Sequence, residues 1–399
     1  MHKMTIGVVN SAIGTANMGC SALTYSLMNL LDRICQEHSI SATYCLFDIG
    51  CSNDDKARMC EAIGIKSEKV EMFSMPHIDK RSYVGRLKTV KHIFDNRHIF
   101  DVMKSCAFLV DLTQGDSFSD IYGTERFYRW TDIKKIIEDK HFSLILGPQT
   151  YGPFSDDHVR EYAISVIEEA KAVISRDQTS ADYIREYSEK EIAVGTDLAF
   201  ELPYLRKDIG SNGKIKVGIN PSGLLCKTKT DLSAFSDKLN TDYEAYLTQL
   251  IDWLKIEGKY EIHMISHVGN EAIECFGGIP NVIYHDAFST PVEAKNLISG
   301  MDVFIGARMH ATIAAFSSGV PVIPTAYSRK FLGLYSGVGY ENIIDLRKLS
   351  TQESVEKTTE YLRNVEGLRE DVIYSREQID IKRKVNYSFF ERIIMDTVN

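Results

Sequence analysis

Short apolar runs recur along the chain, and each is followed by a stretch whose apolar positions fall at helical spacing. Residues 6–10, 41–49, 108–112, 143–146, 172–175, 215–220, 261–266 and 301–306 are apolar with little alternation, the pattern of strands buried on both faces of a parallel sheet. Residues 21–37, 54–63, 83–105, 242–255, 290–299 and 311–318 read as helices, the fifth opening on Pro291 and the last stopped by Gly319. Strand and helix in alternation predict an α/β fold. Residues 191–200 read as the last strand of a first half. The polar, Gly-containing stretch 207–214 reads as a linker, and residue 215 restarts the same alternation. A chain of 399 residues exceeds what one core usually serves, so the reading is two domains, 1–206 and 207–399. The tail 351–399 reads as two helices packing back on the body, including the amino-terminal domain.

Polar side chains gather where the apolar runs stop, and open α/β sheets bind ligands at the carboxyl ends of their strands. In the first half these positions hold Asn17 and Gly19, the stretch 113–117 with Asp116, the loop 147–154 with Gln149, and the pair Arg176-Asp177. In the second half His267 and His285 end strands, and Arg308 and His310 follow residues 301–306. Lys330 follows the β-rich run 320–326. Cationic side chains beside helix amino ends, which present free backbone N–H groups, predict a small anionic ligand.

Composition narrows this. A formal net charge of −9 with no long run of Lys or Arg argues against a nucleic-acid binder, so any anion site must be locally basic. The eight cysteines are scattered, with no CxxC pair and no zinc spacing, so reduced thiols are expected and no metal. No full GxGxxG follows the first strand, and no cofactor is expected. Without a signal peptide or an apolar run near twenty residues, the chain is expected to be cytoplasmic, working at most peripherally at the inner face of the membrane. The basic stretch 83–105 and its neighbour Arg81 read as a solvated face, with contact to an anionic acceptor as the minor alternative, and Lys227 and Lys229 as part of a long loop or short helix, either mobile cations or merely solvated.

Several spaced features coincide: GARMHATIAAFSSGVPVIPTAYSRK, the loop GPQTYGPF, Arg176-Asp177 with Ser180, Asp197-Leu198-Ala199-Phe200, and Asn17-Met18-Gly19. Together they resemble the polysaccharide pyruvyl transferase family over residues 6–339. The most specific part is R-x-H with its downstream Gly-Val-Pro and Tyr-x-x-Lys. The resemblance implies two Rossmann-like domains facing across a cleft, a glycosyltransferase B-like arrangement. It also implies transfer of a pyruvyl group from phosphoenolpyruvate to a sugar as a cyclic ketal. The donor residues it implies are Arg176, Arg308, the Met309 backbone and His310, with Lys330 as a further cation. Two departures stand out: Gly19-Cys20 replaces a frequent Gly-Asp, and Gln114-Gly115-Asp116 replaces a run of glycines.

Phosphoenolpyruvate carries a carboxylate and a phosphate, and Arg suits a two-pronged grip on either. In this reading His310 is the general acid and Lys330 steadies the leaving phosphate, with Arg176 from the first domain and Arg308 from the second closing on the donor. Asn17, Gly19, Asp116, Gln149 and His267 are the expected further substrate contacts. Asp116 and Asp177 are the candidate bases for a saccharide acceptor carried on a lipid or nucleotide. A sugar-nucleotide glycosyltransferase of the same architecture and a non-catalytic anion-binding relative are the alternatives.

Overall fold

The computed structural model describes the chain except residues 1, 49, 76–77, 79–82, 211, 227–238 and 399, and except the side chains of residues 83, 84, 86, 329 and 330. Arg81, Lys227 and Lys229 therefore lie outside the described residues, as do the side chains of Arg86 and Lys330. The chain divides into two compact units. One comprises Met1–Thr15, Leu23–Glu201 and Ile381–Asn399; the other comprises Ala16–Ala22 and Leu202–Asp380.

The first unit holds the strands β1 (Lys3–Ser11), β2 (Ser41–Asp48), β3 (Val70–Ser74), β4 (Phe108–Asp111), β5 (Leu144–Gln149), β6 (Ala172–Ser175) and β7 (Ile192–Val194). They pair in parallel in the order β3-β2-β1-β4-β5-β6-β7. That order reverses between β1 and β4, and the reversal opens a crevice at the carboxyl ends of those two strands. Residues 191–200 do not run as one strand. β7 stops at Val194, and Leu198–Glu201 is a turn of 3-10 helix, because Asp197 accepts from the Ala199 N–H and turns the backbone. The basic stretch is two helices, Tyr83–Asp95 and Arg97–Ser105. Helices Thr124–Asp139 and Asp157–Glu169 help cover the sheet with Phe127, Ile133, Ile137, Val166 and Ile167.

The second unit repeats the plan with β8 (Ile215–Asn220), β9 (Tyr260–Ile265), β10 (Val282–His285), β11 (Val303–Gly306), β12 (Val322–Ala326) and β13 (Ile344–Asp345). Their order is β10-β9-β8-β11-β12-β13, again parallel, with the reversal between β8 and β11. Helix Pro291–Ile298 starts as its sequence dictates: Thr290 accepts from the Glu293 N–H, and Pro291 fills a position whose N–H would be unused. Two-residue β13 carries too few apolar positions to be seen as a run.

Candidate active site

In the second unit the strand reversal is pinned by Asn220, at the end of β8. Its side chain donates to the Ile265 carbonyl at 2.8 Å and accepts from the Arg308 N–H at 3.1 Å, tying β9 and β11 to the strand between them. Arg308 is thereby set as the residue that opens helix Met309–Ser317, with no described side chain capping the first turn. The free N–H groups of that turn leave an electropositive end.

The Arg308 side chain turns to Glu271, at the start of helix Glu271–Phe276. Nη2 donates to Glu271 Oε2 at 2.6 Å and Nε donates to both carboxylate oxygens, at 3.1 and 3.3 Å. Glu271 is buried, and it also accepts from the N–H groups of Gly223 (3.0 Å), Val268 (3.2 Å) and His267 (3.4 Å). Burial works against the charged guanidinium, but the Glu271 carboxylate outweighs it and holds Arg308 above the ordinary arginine value. A fully charged Arg308 therefore presents one fixed orientation.

His310 lies in the first turn of the same helix, and the backbone of Gly19 lies against its ring. A Cβ placed on Gly19 would come within 2.3 Å of His310 Nδ1. Gly19 is brought there by a short antiparallel contact in which the Met18 N–H donates to the His267 carbonyl (3.1 Å) and the Gly269 N–H to Ala16 (3.1 Å). Asn17 starts helix Met18–Glu37, its Oδ1 accepting from the Gly19 N–H at 3.0 Å. Two helix amino ends thus meet at His310.

His267 completes the group. It is 4 % exposed, and both ring nitrogens lack a partner among the described residues. Burial first, then His310 and Arg308, push its pKa down to about 3, so the ring is neutral at physiological pH. The hydroxyls of Ser21, Ser222 and Ser328 are also buried without a described partner. Buried polar atoms ordinarily find partners, so the two bare nitrogens of His267 mark where a polar ligand or water belongs.

The first unit gathers a second group around Arg176, at the end of β6. Arg176 is 4 % exposed; Nη1 donates to Asp197 Oδ2 at 2.7 Å, and Nε donates to Thr150 Oγ1 at 2.8 Å. Burial opposes its charge, and Asp197, Asp116 and Asp177 more than restore it. Gly115 lies against the guanidinium, with room for no Cβ, in a left-handed run with Thr113 and Gln114 (φ 39°, 52° and 85° in chain order).

The sequence-derived residues thus fall into two groups. Arg308, Met309, His310, His267, Asn17 and Gly19 belong to the second unit, although Asn17 and Gly19 come from the amino-terminal end of the chain. Arg176 and Asp116 belong to the first, where Tyr122 donates to the half-buried Asp116 at 3.0 Å. Gln149 is fully buried and donates to Asp111 Oδ2 at 3.0 Å, in a network with Asn10, Thr113 and Lys134 that holds β1, β4 and β5 together. Asp177 caps helix Gln178–Arg185 by accepting from the Ser180 N–H. Lys330 stands at the second position of helix Arg329–Ser336, its side chain outside the described ones. Glu271, Asn220 and the Arg176 partner role of Asp197 escaped sequence reasoning. A carboxylate opening a helix four residues after His267 looks like any helix start.

The model of one protein family, polysaccharide pyruvyl transferase, matches residues 17–329. The chain belongs to this family. The match spans both groups, from Asn17 to the start of the helix that carries Lys330. The amylovoran biosynthesis protein AmsJ of Erwinia amylovora is 21 % identical over 336 residues, covering 79 % of each chain. Among solved structures, the UDP-GlcNAc 2-epimerase of Neisseria meningitidis bound to UDP-GlcNAc aligns with a TM-score of 0.56 at 10 % identity, over 100 % of this chain and 99 % of that one. The spinosyn rhamnosyltransferase SpnG, complexed with thymidine diphosphate, aligns with a TM-score of 0.52 at 9 % identity, over 95 % and 96 %. These likenesses show the fold: α/β with two parallel sheets, of the glycosyltransferase-B kind.

Proposed function

We propose that this pyruvyl transferase moves the pyruvyl group of phosphoenolpyruvate onto a saccharide of a surface polysaccharide or its lipid-linked precursor, forming a cyclic ketal and releasing phosphate. The observation that carries the reading is the second-unit group: a charged Arg308 oriented by Glu271, beside His310 at two helix amino ends, with the neutral His267 unpartnered among the described residues. Cations and helix ends suit a small, doubly anionic donor.

In this mechanism Arg308 and the N–H groups of the Met309 turn hold the donor. His310 gives its proton to the methylene carbon, which becomes the ketal methyl, and the neighbouring carbon turns electrophilic. A sugar hydroxyl adds to that carbon as its own proton passes to His310, which restores the acid. The phosphate leaves with the proton of a second hydroxyl as that hydroxyl closes the ketal. Lys330 supplies charge for the leaving phosphate. His267 serves as a neutral donor to a substrate oxygen, since its low proton affinity unfits it to be a base but leaves its N–H available. Arg176 keeps the donor-binding role that family resemblance implies, with Asp197 as its counter-ion. Incubating the protein with phosphoenolpyruvate and a panel of saccharides, with phosphate release and the acceptor's mass as readouts, tests the reaction. Activity that survives in both Arg308→Ala and His310→Gln overturns the assignment, and stronger thermal stabilisation by a nucleoside diphosphate than by phosphoenolpyruvate points to glycosyl transfer instead.

A further inference from the structure

We propose that the helix Tyr83–Asp95 lies on an anionic lipid bilayer, with Leu87, Val90 and Phe94 entering the headgroup region and the surrounding Lys and Arg side chains meeting lipid phosphates. The three apolar residues are 56 %, 66 % and 77 % exposed, in that order. Their spacing of three and four places them on one stripe of the helix. That stripe is not the one that holds the helix in place. Gly85 and Thr89 are buried on another face, and Ile93 packs against the core of the first unit. The helix therefore has a packed side and a separate apolar side open to solvent, a pattern that marks an interaction surface.

Charge selects the occupant. Lys91 borders the apolar stripe, Lys88 lies further round on the same side, and both are exposed. The following helix, Arg97–Ser105, helps to line a cavity of about 480 Å³ with Arg97 and Lys104, joined by Lys140 and His141. Asp101 and Asp139 share the cavity and Asp95 is exposed, so the local balance of Lys88, Lys91, Arg97, Lys104 and Lys140 against three carboxylates is positive in a chain of net charge −9. Cations beside an apolar stripe are the composition of helices that lie in a membrane interface. A second copy of the chain fits less well, because a two-fold interface would bring the same cations together. This proposal stands on the surface alone and holds or fails independently of pyruvyl transfer.

Flotation of the full chain with vesicles of equal parts phosphatidylglycerol and phosphatidylcholine, and with phosphatidylcholine alone, tests it. The expected result is binding to the anionic vesicles that weakens with added salt, and none to the neutral ones. The double variant L87D/F94D should lose about tenfold in bound fraction at an unchanged melting temperature, because charge on the apolar stripe opposes insertion. K88E/K91E, at exposed positions that folding does not need, should lose the salt-sensitive part and keeps the test decisive if L87D/F94D does not fold. No binding to anionic vesicles at low salt, or equal binding by wild type and both variants, overturns the proposal. So does a wild-type dimer in sedimentation that F94D converts to monomer, which would assign the stripe to a second copy.

Discussion

Glu271 has five donors arranged around one carboxylate: Nε and Nη2 of Arg308 and three backbone N–H groups. Its charge decides whether Arg308 is held or loose. Glu271→Gln keeps an acceptor but loses the anion, and a hydrogen bond between charged groups contributes about 1.5–3 kcal/mol. The expected outcome is a rise of about tenfold or more in KM for phosphoenolpyruvate, from steady-state phosphate release, with kcat less affected. His267 and His310 should separate in the same assay. His310→Gln removes the proton donor and should lower kcat by about 10²–10⁴-fold. His267→Gln retains a neutral N–H and should keep much of the activity with the pH profile unmoved, whereas His267→Phe should lose it. A pH profile that shifts in His267→Gln would show that His267 exchanges a proton instead. At this scale the sequence revealed Arg308 and His310 because two basic side chains ended an apolar run. It concealed Glu271, since a contact formed between residues 37 positions apart leaves no local mark.

At the scale of elements, two turns carry the geometry. The first turn of Met18–Glu37 is usable at the site only because position 19 has no Cβ. Ala at a helical Gly is ordinarily favoured by about 1 kcal/mol, but here the new methyl meets the His310 ring. Gly19→Ala should therefore cut phosphate release sharply while far-ultraviolet dichroism stays unchanged. Gly115 is constrained twice, by a φ of 85° and by Arg176 Nη1 and Leu23 Cδ1, each 2.9 Å from an added Cβ. Gly115→Ala should cost about 1–3 kcal/mol in denaturant melts, as expected where a left-handed position is forced on a side chain. Strand and helix order was legible from apolar runs. The split of residues 83–105 into two helices, and the stop of β7 at Val194, were not, because Asn96 and Asp197 act through local geometry that composition does not reveal.

At the scale of the molecule, the two units should answer pH in opposite ways. In the second unit burial pushes His267 down to about 3 and His285 to about 4. The unfolded chain then binds more protons below its histidine value of about 6.5, so stability from these groups is full above that pH and falls as the solution is acidified toward pH 4. In the first unit burial raises Glu138 to about 8, and neither of its carboxylate oxygens has a described hydrogen-bond partner. The folded form holds that proton, so its contribution is full below an unfolded value of about 4.3 and is lost as pH rises through 8. Glu138→Gln should raise the melting temperature at pH 8 by several degrees and change it little at pH 5, while His285→Gln should flatten the acid limb; calorimetry across pH checks both. The sequence by itself determined two α/β halves, the family resemblance and the basic pair Arg308 and His310. These rest on local periodicity and on spacing within one stretch of chain. Tertiary structure alone decided that Asn17 and Gly19 group with the second unit, that Glu271 orients Arg308, and that His267 is neutral. Each depends on which distant residues share a desolvated space, and burial and charge pairing exist only once the chain has folded.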